Sequence, residues 1–337
     1  MNKIYLGDNL PILKSFENES VDLIYIDPPF NTGKTQKRTT IKTIQSEHGD
    51  RKGFQGKNYS TTELGTRAYK DTFDDFIDGF LRPRMLEAYR ILKPNGSLYF
   101  HIDYREVHYC KILLDEIFGR DSFLNEIIWA YDYGGRAKSK WPAKHDNILF
   151  YVKDPKNYIF NTNEIDREPY MAPGLVGPTK AELGKLPTDT WWSAFVGEKF
   201  NAWDLNDNWW MTIVPTNSKE RIGYPTQKPK KLVDRILKAS SYPGATVLDF
   251  FAGSGTVGAS CIDLGRKFIL VDKNPSSLEV MAKRFAGVRE IEWIGFNPIP
   301  IWESIPQITQ EIAPQTKSEF SSSFEMLAAT ASYLKDN

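Results

Sequence analysis

Four consecutive residues, Asp27-Pro28-Pro29-Phe30, put a carboxylate, two prolines and an aromatic ring directly after an apolar run over 21–26 that reads as a buried strand. Each proline fixes φ and carries no N–H, and Pro29 drives Pro28 towards an extended conformation. The backbone carbonyls there are held still and unmatched by local donors. Asp27 adds a charged acceptor and Phe30 a flat apolar face. The set suits a planar ring bearing an amino group: the ring stacks on Phe30, and its NH2 donates to Asp27 and to the Pro28 carbonyl. An acidic strand end followed by a Pro-Pro turn has the same local composition, so the rest of the chain must distinguish the two.

A second device lies near the other end. A strand over 246–250 runs into Phe251-Ala252-Gly253-Ser254-Gly255-Thr256 and then a helix. Gly253, Gly255 and Gly258 make a formal G-x-G-x-x-G, a turn that lets a ligand approach the backbone closely. Asp272 follows at the end of the next strand, where an acidic side chain can hold ribose hydroxyls. A nicotinamide oxidoreductase is therefore a rival reading. Two details favour S-adenosyl-L-methionine (SAM). Asp249 is suited to accept from the ammonium of a methionine moiety, a group NAD lacks, and Phe251 offers an apolar wall. Upstream, Thr226-Gln227-Lys228-Pro229 opens a helix with Pro229 expected at its first position. Its N-terminal N–H groups, with Lys228, are expected to receive the cofactor's carboxylate.

The intervening chain must bring these devices together. Strand patterns recur over 3–6, 21–26, 97–102, 126–131, 147–152, 246–250 and 267–272. Helical patterns occupy about 10–16, 73–92, 107–118, 229–241, 256–264 and 275–285. Pro83 should kink or break the second helix, Lys93-Pro94-Asn95-Gly96 reads as a turn, and Gly119 stops the third. Alternating strands and helices with short links imply an α/β, doubly wound, mainly parallel sheet, with 126–131 and 147–152 as an antiparallel edge hairpin. Residues 1–152 are expected to form one half of this core, interrupted by a basic loop over 31–70, and 221–300 the other half. Residues 153–220, rich in Pro, Gly and Trp, read as an inserted module, with Trp191, Trp192, Trp203, Trp209 and Trp210 more in keeping with a core than with base stacking. The tail, 301–337, is weakly patterned apart from a helix expected over 324–334.

At 337 residues the chain can bury a substantial core. Its 43 basic and 43 acidic residues balance, so a nucleic-acid surface must be a local patch. Lys34, Lys37 and Arg38 in the basic stretch, and Arg136, Lys138 and Lys140 further on, are candidate phosphate contacts; Lys144, Lys219, Arg221, Lys230 and Lys231 extend the set. Cys110 and Cys261 lie far apart without a CxxC partner, which argues against a disulfide framework or a cysteine zinc site. His145-Asp146 reads as a structural hydrogen bond rather than a catalytic pair. The opening residues carry no signal-peptide pattern and no apolar run reaches membrane-spanning length, so a cytoplasmic location is expected.

With both devices in view, the chain resembles the permuted, beta-group amino DNA methyltransferases that use SAM. Asp27-Pro28-Pro29-Phe30 is similar to that family's catalytic Asp-Pro-Pro-aromatic motif, and Asp249 to Thr256 to its SAM-binding Phe-x-Gly-x-Gly motif. Catalytic motif first, cofactor motif last and a variable module between is the family's order. The resemblance covers about 1–150 and 220–290. It implies a class I methyltransferase sheet of seven strands and direct transfer of a methyl group to a flipped base without a metal. It also implies a cofactor pocket that includes Asp8 beside Asp272, with Asp8 near the adenine of SAM; a helix N-cap is the alternative role for Asp8. Asp rather than Ser at position 27 points to adenine N6 rather than cytosine N4. Neither cysteine follows a proline, which argues against cytosine-C5 chemistry. Double-stranded DNA is the implied substrate, 153–220 the target-recognition module, and a cognate restriction endonuclease and a homodimer the implied partners. The length of the basic stretch after Phe30 departs from the family pattern.

Overall fold

The computed structural model describes residues 1–45, 51–52, 58–71, 73–131, 137–170, 172–191, 213–214, 218, 220–224, 226–288 and 290–305; within 34–70, only the side chains of Ile44, Asn58, Tyr59, Ser60 and Thr62 are described. β1 (Asn2–Leu6) leads to α1 (Asn9–Lys14), and β2 (Val21–Ile26) ends at Asp27. β3 (Lys34–Gln45), β4 (Arg51–Lys52) and β5 (Asn58–Asp71) follow. A π-helical stretch, Phe76–Leu81, precedes α2 (Arg82–Ile91), β6 (Leu92–Asp103), α3 (Val107–Phe118), β7 (Phe123–Ala130) and β8 (His145–Val152). α4 (Pro178–Leu183) and β9 (Thr190–Trp191) lie in the module segment. The chain continues with α5 (Lys230–Ser240), β10 (Thr246–Asp249), α6 (Thr256–Asp263), β11 (Lys267–Asp272), α7 (Pro275–Arg284), β12 (Ile291–Ile294) and α8 (Ile299–Glu303).

The main sheet has the order β12-β1-β11-β10-β2-β6-β8-β7-β9. Strands β12 through β6 are mutually parallel, and β8 pairs antiparallel with both β6 and β7. The α/β class and the antiparallel hairpin are as expected. The expected seven strands become nine, because β12 and the two-residue β9 extend the edges; both are too short to carry a readable pattern. Helices cover both faces. Leu232, Val233, Val257 and Met281 pack on one side, and Leu13, Met85, Val107 and Leu114 on the other. That double cover explains why every residue of β2 is buried.

The order of elements along the chain is reconciled in space at β1. It lies between β11 and β12, and the Gly7 N–H donates to the Asp272 carbonyl at 3.0 Å. The N-terminal strand therefore completes a sheet begun by the C-terminal half, and β10 is flanked by β11 and β2.

Three local expectations need correction. Residues 31–70 are not a loop over most of their length: β3 and β5 pair antiparallel from Lys34↔Asp71 to Gln45↔Tyr59. Lys93-Gly96 is not a turn between elements but a bulge inside β6, since Val21 faces Leu92 and Leu23 faces Ser97. The bulge sets Lys93 Nζ 2.8 Å from the buried Asp22 carboxylate, which also accepts from Tyr242 and the Thr246 N–H. Finally, Pro229 is the N-cap of α5, not its first helical residue. Pro83 does mark a break, because the π-helical stretch gives way to α2 one residue before it.

The described part of 153–220 is tied to α5. Asn161 Nδ2 donates to the carbonyls of Lys238 and Ser241, and Arg235 pairs with Asp166 at 2.6 Å. Trp191 is buried in the core. Trp192, Trp203, Trp209, Trp210, Arg136, Lys219 and the tail from 306, including 324–334, lie outside the described residues.

Asn9 links the two halves of the core. Its Nδ2 donates to the Phe250 carbonyl at 2.7 Å and its Oδ1 accepts from Arg84 Nε at 2.5 Å. Asn9→Ala leaves a buried guanidinium and a buried carbonyl each short of a partner. The substitution should cost about 1–3 kcal/mol, read as a lowered urea midpoint with an unchanged slope.

Candidate active site

The Asp27 edge and the glycine-rich turn face one cleft of about 970 Å³. One end is lined by Gly7, Asp8, Asp249, Phe251 to Ser254, Thr256 and Asp272, the other by Asp27 to Phe30, Asp146, Tyr131 and Lys228. Strands β10 and β2 are adjacent and parallel, so their C-terminal ends open on the same side of the sheet.

At the glycine-rich end the backbone does much of the shaping. Gly253 and Gly255 have φ of 49° and 72°. A Cβ at Gly255 would stand 2.8 Å from Met281 Cγ, and one at Gly258 2.8 Å from the Phe285 ring. Those two glycines let α6 approach α7, while Gly253 lines the cleft under the Tyr224 ring. Ser254 and Thr256 bond to each other through their hydroxyls, so neither side chain is presented freely. Asp272 accepts from the Gly253 N–H and the Asn274 N–H, both at 2.8 Å. Its burial pushes the carboxyl up to about 6. Asp249 accepts from the Phe251 N–H at 3.0 Å. Burial, with Asp27 and Asp272 nearby, pushes it well above the usual carboxylate range. No ion pair reaches Asp249 or Asp272 among the described residues. A buried carboxyl and a half-buried one, neither in an ion pair with a described residue, make an acceptor set suited to a ligand that brings positive charge and hydroxyls.

Asp8 caps α1, and its Oδ1 takes both the Leu10 N–H and Arg84 Nη2. Oδ2 accepts from no described residue and the side chain is half exposed at the cleft wall. The N-cap and cofactor-wall roles are thus compatible. No sequence pattern marks Arg84. It sits over the Phe80 ring at 4.1 Å and holds Asp8 and Asn9.

The expected carboxylate site at the start of α5 is already filled from within. The Lys230 N–H donates to Glu220 Oε1 at 2.7 Å. Lys228 does not point to that end of the cleft either. Its Nζ lies 3.0 Å from Asp27 Oδ1, 3.7 Å from Asp146 Oδ2 and 4.8 Å from the Phe30 ring centroid. Burial opposes its charge, but Asp27 and Asp146 outweigh it and hold the ammonium above its ordinary pKa. Of the segment 226–229, Thr226 and Lys228 do line the cleft.

Behind Asp27 runs a polar chain that the sequence did not disclose. Tyr25 Oη stands 2.9 Å from His101 Nδ1, and His101 Nε2 3.1 Å from Asp146 Oδ2. Tyr131 donates to Asp146 Oδ1 at 2.9 Å. Burial and the surrounding carboxylates push the Tyr25 hydroxyl well above its ordinary value, so it stays protonated. The Asp146 carboxylate can only accept, so His101 Nε2 donates to it. Although burial raises it, Asp146 is held far below the usual carboxylate range by His101, Lys228 and Tyr131. Phe30 stacks against His101 at 6.1 Å, and Trp129 packs edge-on to the same ring. Asp146 is therefore part of the site, and its partner is His101, not the adjacent His145.

Both cysteines are buried and their thiols pushed up by burial, which suits neither to nucleophilic work. Lys138 and Lys140 are exposed on the loop before β8, and Lys140 lines a smaller hollow that shares Asp103, Arg105 and Tyr131 with the main cleft. The backbone at Lys34, Lys37 and Arg38 belongs to β3, and their side chains lie outside the described residues. No helix among the described residues is long and apolar enough to cross a membrane.

A family profile described as DNA methylase matches residues 21–284. The chain is 33% identical over 281 residues to the DNA adenine methyltransferase YhdJ of Escherichia coli K12, covering 82% of this chain and 80% of YhdJ. It is 29% identical over 297 residues to the Type II methyltransferase M.HpaI of Haemophilus parainfluenzae, covering 88% of this chain and 77% of that protein. Among solved structures, M1.HpyAVI in complex with SAM has the same fold at 20% identity, with a TM-score of 0.51 over 85% of this chain and 99% of that one.

Proposed function

Because this chain belongs to the N6/N4 DNA methylase family, we propose that it moves a methyl group from SAM to the exocyclic N6 of an adenine swung out of duplex DNA. The carrying observation is the single cleft that joins the Asp-Pro-Pro-Phe edge to the glycine-rich turn. The adenine choice rests on Asp at position 27 and on the similarity to YhdJ. Liquid chromatography of nucleosides from plasmid treated with the enzyme and SAM tests it. N6-methyladenine is expected, and N4-methylcytosine in its place overturns the adenine reading.

When bound, SAM supplies an electrophilic methyl on a sulfonium. Asp249 would take the ammonium of its methionine part, and Asp8 and Asp272 the adenosine part along the same wall, with Phe251 beside them. The adenine amino nitrogen is a poor nucleophile because its lone pair is delocalised into the ring. Hydrogen bonds from its two protons to Asp27 and the Pro28 carbonyl favour a pyramidal nitrogen whose lone pair points across the cleft. The nitrogen–carbon bond forms as the carbon–sulfur bond breaks, the electron pair leaving with sulfur. The extra proton on nitrogen then passes to Asp27 and on to water. Positioning and preorganised polarity carry the rate. Flipping the base costs a few kcal/mol, and stacking on Phe30 returns about 1–3 kcal/mol.

Lys138 and Lys140 are suited to the phosphates beside the cleft, with Lys34, Lys37, Arg38 and Arg136 as further contacts. Residues 153–220 would recognise the target sequence, between core halves 1–152 and 221–300. A cognate restriction endonuclease, as the Type II class of M.HpaI suggests, and a homodimer complete the proposal.

The Asp272 carboxyl sets a pH dependence. Its pKa in the folded protein, about 6, lies above its unfolded value, so its contribution to stability is present at acid pH and lost as pH rises through about 6. A ligand donating hydroxyls to the ionised group recovers that loss. SAM affinity measured by calorimetry should therefore rise between pH 5 and pH 7.5, and the SAM-induced increase in melting temperature should grow over the same range.

A further inference from the structure

The Lys228 ammonium occupies both features that a target base needs. It lies 3.0 Å from Asp27 Oδ1, the acceptor for the amino group, as an ion pair, and no described group completes a hydrogen bond to that buried oxygen. It also lies over the Phe30 ring, 4.8 Å from the centroid, where the base would stack. An ammonium imitates an amino-bearing ring in both respects: it offers N–H to a carboxylate and positive charge to an aromatic face. With only 12% of its side chain exposed, Lys228 cannot turn out to water without abandoning a buried carboxylate.

A second carboxylate is already in reach. Asp146 Oδ2 stands 3.7 Å from Nζ, and closing that gap to an ordinary ion-pair distance takes a shift of less than about 1 Å. Asp146 is itself fixed, with His101 on Oδ2 and Tyr131 on Oδ1. Resting on the function proposed above, we propose that Lys228 is a placeholder for the target amino group in the free enzyme, and that base entry slides it from Asp27 onto Asp146. Asp146 is then a positioning residue: it receives the displaced cation and so frees Asp27 to accept from the base.

This arrangement differs from a static ion pair in the sign of its mutational effects. Without the placeholder, as in Lys228→Met, the base meets an open acceptor. Without the receiving carboxylate, as in Asp146→Asn, the ammonium stays on Asp27 and excludes the base. Asparagine keeps an acceptor for His101 and a polar partner for Tyr131, so the pocket retains its shape. The double variant removes both the obstacle and its destination.

The test uses the full-length enzyme and a duplex carrying the site mapped from wild-type product, with 2-aminopurine at the target adenine. The long-lifetime fraction of 2-aminopurine emission reports base entry. It should rise in Lys228→Met, fall about threefold or more in Asp146→Asn, and return at least to the wild-type value in the double variant. Single-turnover methylation should fall about tenfold in Asp146→Asn, and SAM affinity should stay within about threefold in all three, since Lys228 serves Asp27 rather than the cofactor. Retained SAM affinity also certifies that each variant is folded; if Lys228→Met is not, Lys228→Gln takes its place. Loss of base entry in Lys228→Met and Asp146→Asn alike, with no recovery in the double variant, overturns the displacement and leaves a static pair. A wild-type enzyme that methylates no DNA overturns the functional reading and the placeholder with it.

Discussion

Asp27→Ala should reduce single-turnover methylation by at least about 10²–10³-fold while SAM affinity stays within about threefold of wild type. The rate falls because the amino nitrogen loses the charged acceptor that draws its protons out of the ring plane. The Pro28 carbonyl, still fixed by Pro29, can hold only one of the two protons. Cofactor binding survives because the glycine-rich turn and Asp249 belong to β10 and its exit, not to the end of β2 that carries Asp27. Folding should survive too. Removing one member of a buried pair commonly costs 3–5 kcal/mol, but here Asp146, at 3.7 Å, remains to take the Lys228 ammonium. The loss should accordingly fall below that range in a urea titration. Single-turnover methylation close to wild type in this variant would rule out the mechanism.

Asp249→Asn should act in the opposite sense on binding and stability. SAM affinity should drop about 30-fold or more, as expected when one partner of a buried charge pair is truncated. The free protein should be as stable as wild type or more so at pH 7. The sign follows from the raised pKa of Asp249: such a group contributes stability below its unfolded pKa and forfeits it as pH climbs through the folded value. An amide of the same shape escapes that forfeit and keeps the bond from the Phe251 N–H. Calorimetry with SAM and thermal melts without it measure the two effects on the same preparation. A variant that binds SAM normally would show that the ammonium is held elsewhere; one that binds poorly but also melts early would point to a damaged turn rather than a lost charge.

Three features of the fold depart from the local sequence pattern. The sequence of β3 and β5 reads as a loop because it lacks the apolar alternation of a half-buried strand. β3, β5 and β4 form a three-stranded sheet separate from the main one, and its strand signal in the sequence is β-branched content, in Thr39, Thr40, Thr43, Thr61 and Thr62. Helix starts attract anions, which points Lys228 to a carboxylate at the start of α5, yet Glu220 supplies that anion from ten positions upstream of Lys230. Adjacency in sequence pairs Asp146 with His145. Alternation along β8 turns adjacent side chains to opposite faces, and the partner is His101 on the neighbouring strand.

The local devices are properties of the sequence itself. Proline constraints at 28 and 29, the glycines at 253, 255 and 258, the strand–helix alternation and the permuted order depend on near neighbours in the chain, and a reader of residues can see them. The use of those devices was decided by contacts across the fold. Tyr25 meets His101 from 76 positions away, His101 meets Asp146 from 45, and Lys228 reaches back from the C-terminal half to Asp27. Such contacts follow from strand order and register, which place β2, β6 and β8 side by side. Sequence spacing carries no trace of them, because a buried cation settles on whichever carboxylates the closed sheet brings within reach.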